Sequence, residues 1–170
     1  METTITSALV GTLELDTGKG FAAQVTIQDT GRQSFWLNIF EDVSSEPGLL
    51  AGVAPVIDDF RTISDQAKSA LGKHLAAQDE KVIEFVRFHT EEIDDLDENI
   101  QENLSMLLAG DALPDPLADS FQIRGLVFHK GAEGDLEFWV DLALAPEYSD
   151  EVLCVRFDGS RTVGTVSWES

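Results

Sequence analysis

The chain has 170 residues, 43% of them hydrophobic, enough to bury a core of its own, so one domain over 1–170 is expected. Its 32 acidic and 11 basic residues give a formal net charge of −21, which repels a phosphate backbone and argues against a nucleic-acid partner. No apolar run approaches the ~20 residues of a membrane span, and Met1-Glu2-Thr3-Thr4 lacks the basic and apolar regions of a secretory signal, so no membrane partner and a cytoplasmic location are expected.

The first forty residues alternate with period two. Leu9, Gly11, Leu13 and Leu15 interleave with Val10, Thr12 and Glu14, and Asp16-Thr17-Gly18-Lys19-Gly20 supplies a turn. Val25 and Ile27 form a second alternation, Asp29-Thr30-Gly31-Arg32 a second turn, and Phe35, Leu37 and Ile39 a third alternation. The pattern predicts a three-stranded antiparallel meander. Trp36 and Phe40 share the face opposite Phe35, so the third strand is expected to be covered on both sides.

The stretch 41–54, with Pro47-Gly48, reads as a loop, and Pro55 suits the first position of a helix. Ile57, Phe60, Ala67, Leu71 and Leu75 make one apolar stripe, on one helix or on two if Ser64 caps a second. After Gln78-Asp79, the residues Phe85, His89, Ile93, Leu96, Ile100, Leu104 and Leu107 step by three or four, and Gly110 is a stop. The last fifty residues return to alternation. Phe121 to Phe128, Leu136 to Leu142, Val152 to Phe157 and Thr162 to Trp168 are separated by turns at Lys130–Asp135, Pro146–Asp150 and Asp158–Arg161.

Charge is unevenly placed along this frame. Between Arg87 and Arg124 there is no lysine or arginine, whereas ten carboxylates fall there, seven of them from Glu91 to Glu102. Because the stretch keeps an apolar stripe, it reads as a folded acidic surface that attracts basic partners. Glu91, Glu92, Asp95, Glu98 and Glu102 are the candidate binding residues. Like charges at Glu91/Asp95, Asp94/Glu98 and Glu98/Glu102 would each cost a few tenths of a kcal/mol on one helix, so a break near Asp95 to Asn99 is expected.

His89 with Glu92 forms a His-x-x-Glu pair that could hold a metal if another element supplied further ligands. His89 lies on the apolar stripe, however, which favours a buried, hydrogen-bonded histidine. Asp94, Asp95 and Asp97 lack the mid-loop glycine and terminal acid of a calcium loop. No phosphate-binding glycine motif, Walker lysine or nucleophile elbow occurs, and no cofactor is expected. Cys154, the lone cysteine, sits in an apolar alternation and reads as a small buried residue.

The string from Tyr148 to Gly159, the ending Val166-Ser167-Trp168-Glu169-Ser170, and Phe88-His89-Thr90-Glu91-Glu92 within an acidic helix resemble a bacterial domain-of-unknown-function family, the one numbered two thousand and four. The resemblance implies strands, then helices, then strands, and it brings no activity. Families of this general look occur among bacterial toxin-immunity genes. The expected fold is α+β: an antiparallel sheet of six or seven strands from both chain ends, with two or three central helices on one face. The expected function is a non-enzymatic acidic module that binds a basic protein, the alternative being a small metal-assisted enzyme using His89 and nearby carboxylates.

Overall fold

The structure is a computed structural model and describes residues 1–28, 33–94, 96–110 and 114–169. Strands β1 (Glu2–Ser7) and β2 (Gly11–Asp16) pair as an antiparallel hairpin. Strands β3 (Phe21–Thr26), β4 (Ser34–Ile39), β5 (Gln122–Lys130), β6 (Leu136–Ala143), β7 (Val152–Phe157) and β8 (Val163–Glu169) form a six-stranded sheet whose spatial order is the chain order. Between β4 and β5 lie the helices α1 (Glu41–Ser44), α2 (Pro47–Leu50), α3 (Val53–Asp58), α4 (Phe60–Ala76), α5 (Glu80–Glu92), α6 (Glu98–Leu108) and α7 (Pro114–Asp119). The α+β class and the strands from both chain ends are as the sequence predicts.

Several details differ. The sheet is mixed, because β4 and β5 run parallel while the other neighbours are antiparallel. The chain leaves β4, passes through all the helices and re-enters in the same direction, as a parallel pair requires. The N-terminal alternations do not form one meander, since β1 and β2 pair with each other outside the six-stranded sheet. Buried Ser7 ties that hairpin to the helical layer by donating to Asp58 Oδ1 at 2.6 Å. The predicted turn at 29–32 lies outside the described residues.

The helical region is also more divided than the two or three helices expected. The supposed loop 41–54 holds two single-turn helices, with Pro47 in the first position of α2, and Pro55 falls inside α3 rather than at its start. Such short helices carry too few residues for a 3.6 period to be visible. The stripe from Ile57 to Leu75 is buried, but it is divided at Asp59 between α3 and α4. Gln78, at φ 56°, reverses the chain, and Asp79 caps α5 by accepting from the Lys81 and Val82 amides at 3.1 and 3.4 Å. The expected break in the acidic stretch falls between Glu92 and Glu98. Asp97 caps α6 through the Asn99 amide at 2.9 Å, and Gly110, at φ 82°, follows its end.

One face of the sheet meets the helices. Phe35, Leu37, Ile39, Leu126, Phe128, Phe138, Val140, Leu153, Val155 and Phe157 point into this interface and are buried. The rings stack in pairs, Phe35 on Phe60 at 4.6 Å and Phe138 on Phe157 at 4.8 Å. Helices α4 and α5 pack on the β7–β8 end, and α6 packs on α5 and α7. The apolar stripe predicts that Phe85, Ile93, Leu96, Ile100, Leu104 and Leu107 face the sheet; all but Ile100 are buried, but α6 rests on other helices, so Leu104 and Leu107 are buried there and Ile100 only partly. The opposite sheet face is not covered as expected. Trp36 is 48% exposed and Phe40 45%.

Candidate functional site

The sequence-predicted acidic residues divide between two helices. Glu91 and Glu92 close α5, while Glu98 and Glu102 lie on α6. All four are exposed, and among the described residues none has an ion-pair partner. Asp95 lies outside the described residues. Only Glu98 and Glu102 remain an i,i+4 pair on one helix, since Asp94 sits in the break. The break therefore removes part of the repulsion that an uninterrupted helix would carry.

Elsewhere four cations are paired. Lys19 pairs with Asp16, Arg124 with Asp150, Lys130 with Glu46 and Arg161 with Asp59. A groove of about 670 Å³ between α4 and the β7–β8 turn is lined by Lys73, His74 and Arg161. Asp65 lines it too, and Arg161 is held by Asp59, so its charge is largely offset.

His89 is fully buried on α5, against the rings of Phe85 and Phe88. Its Nδ1 lies 2.8 Å from the Phe85 carbonyl oxygen, which can only accept, so Nδ1 carries the proton. Nε2 is then a lone pair, buried without a hydrogen-bond partner. That is the tautomer a metal would use. Glu92, its sequence neighbour in the His-x-x-Glu pair, is exposed, and among the described residues no group of three His, Cys, Asp or Glu side chains converges. The geometry supplies a histidine without the rest of a coordination shell.

Burial lowers the His89 pKa from its ordinary 6.5, with the Phe85 carbonyl and the Glu151 carboxylate acting in the opposite direction. As the pH falls through 6.5, the unfolded chain takes up a proton that the folded chain refuses. This contribution to stability is thus complete above that window and lost on descending through it. The wild type should lose stability relative to His89→Leu between about pH 7.5 and 5.5, with the two curves parallel above neutrality. Urea midpoints whose difference stays constant over that range would show that His89 is not held neutral.

Cys154 is buried as the alternation suggests, but on the sheet face away from the helices. Its thiol donates to Asp141 Oδ1 at 2.9 Å from the neighbouring strand. Burial first, and then the Asp141 charge, push the thiol well above its ordinary range. Burial also raises Asp141, opposed by the Cys154 hydrogen bond and by Arg124. Deprotonation would place two negative charges together, so the thiol stays protonated and is a poor nucleophile.

The same sheet face holds a cluster that the sequence reading did not assemble. The Phe40 and Trp139 rings meet edge-on at 5.7 Å, and His129 lies 5.1 Å from Trp139. Arg156 places its guanidinium 5.2 Å from the Trp139 ring centre. Alternation does put Trp36 and Phe40 on one face. Nothing local, however, shows that β4 lies beside β5, which is what brings Trp139 to Phe40. Comparison of the chain with protein-family models, with curated proteins and with solved structures finds no match.

Proposed function

We propose that this protein is a non-enzymatic binding module of the toxin-immunity kind, which takes a basic protein partner on the acidic surface of α5 and α6. The supporting observation is that Glu91, Glu92, Glu98 and Glu102 are exposed and have no ion-pair partner among the described residues. Such a field draws in a positively charged surface over a Debye length of about 10 Å at 0.1 M salt. It acts chiefly on the association rate and weakens as ionic strength rises.

Replacing Glu91, Glu98 and Glu102 with glutamine should slow capture of a basic partner several-fold at low salt and leave dissociation nearly unchanged. Thermal stability should stay level or rise slightly, because the Glu98–Glu102 repulsion is relieved. The measurement is binding kinetics of partners recovered from native lysate, at low and high salt. Equal association rates for the triple variant and wild type would leave the acidic surface a solubilising role alone.

A further inference from the structure

We infer that the uncovered face of the six-stranded sheet is a second docking surface, and that its occupant is an arginine- or lysine-bearing segment of a protein partner. The inference rests on the reading of this protein as a module for a basic partner, and it locates a contact on the side of the molecule away from α5 and α6.

The apolar part of the face comes first. Trp36 at 48% and Phe40 at 45% exposure are large rings left open to water on the same side of the sheet, Trp36 within β4 and Phe40 just past its end. Exposed aromatics gathered on a rigid sheet are the residue type that supplies most binding energy in protein interfaces. They are also anchored, since Phe40 stands edge-on to Trp139 and the strands beneath are paired on both sides. Little ordering entropy remains to be lost when such rings are covered.

Charge then selects the occupant. At the end of β3 and β4 a depression of about 720 Å³ is lined by Phe21, Ala22, Asn38, Phe40, Glu41 and Asp42. Glu41 is exposed and has no ion-pair partner among the described residues. Asp42 is exposed as well; its Oδ2 accepts the backbone N–H of Lys130 at 3.3 Å, and its charge also acts on the Lys130 ammonium. An aromatic wall beside two carboxylates is a seat for an ammonium or guanidinium group. The face already accepts one such group from its own chain, Arg156 over Trp139, while Trp36 and Phe40 have no cation of this chain above them among the described contacts. A second copy is a poor occupant, because each copy carries a net charge of −21.

The test uses the full-length, ¹⁵N-labelled protein and a synthetic peptide of alternating arginine and alanine, with an alternating glutamate–alanine peptide as control. The indole N–H signals of Trp36 and Trp139 and the amides of Phe40 and Glu41 should move with the basic peptide and not with the acidic one. The Trp168 indole should stay in place, since it packs among Phe85 and Phe88 on the helical side. Trp36→Ala combined with Phe40→Ala should weaken the peptide about fivefold, with the melting temperature lowered by only a few degrees and the fold kept. Glu41→Lys, at an exposed position, should weaken it independently. Shifts confined to residues 91–102 would overturn this inference and leave the acidic-helix reading standing. Shifts at neither place would count against both. Dimerisation abolished by Trp36→Ala would overturn it in favour of a second copy.

Discussion

Phe85→Ala is expected to remove about 3–5 kcal/mol of folding stability, read as a lower urea midpoint at unchanged slope. Phe85 is fully buried, with its ring 5.8 Å from those of Phe121 and Trp168 and 4.2 Å from the His89 imidazole. It thus joins α5 to the β8 end of the sheet and to the segment leading into β5. Truncation leaves a void bounded by rigid rings, which relax poorly into it. Against a total of about 5–15 kcal/mol for an ordinary domain, that is a large share. A loss under about 1 kcal/mol would mean that α5 does not present this face to the sheet.

Leu104→Asp should be comparably severe, at about 3–5 kcal/mol, and Ile100→Asp much milder, at about 1 kcal/mol. Both lie on α6, four residues apart. Leu104 is fully buried between helices, so an aspartate there would be an unpaired charge without water. Ile100 keeps part of its surface in solvent, where a carboxylate can stay hydrated. Thermal melts of the two variants measure the seating of α6 directly. Equal losses would mean that α6 packs with Ile100 turned inward, as the periodic stripe by itself suggests.

The contrast between those residues shows where sequence reasoning reached its limit. Spacing identifies the apolar stripe of α6, but how deeply each member sinks depends on what α6 lies against, and it lies against α5 and α7. The C-terminal strands were readable because each pairs with its sequence neighbour across a short turn. At the last of these turns Asp158 Oδ1 accepts the Ser160 and Thr162 amides, both at 2.9 Å, a local signature. Strand β1 was missed because Thr3, Thr4, Thr6 and Ser7 surround a single apolar Ile5, leaving almost no alternation to detect. The acidic surface was legible as composition, since lone carboxylates in a run have little to be buried with. The open aromatic face was not, because Phe40 and Trp139 meet only through a strand pairing between distant parts of the chain.

That pairing also dictates an order of assembly. Strands β5 to β8 close hairpins between sequence neighbours, whereas β4 finds β5 only after residues 40–121 have been gathered between them. The entropy of closing so long a loop grows only with the logarithm of its length, but it falls due before any contact across β4 and β5 repays it. A ribosome delivers the N-terminal strands first. Strands β3 and β4 therefore emerge long before the neighbour that completes their sheet, and β4 travels with Phe35, Leu37 and Ile39 unshielded until β5 has been synthesised.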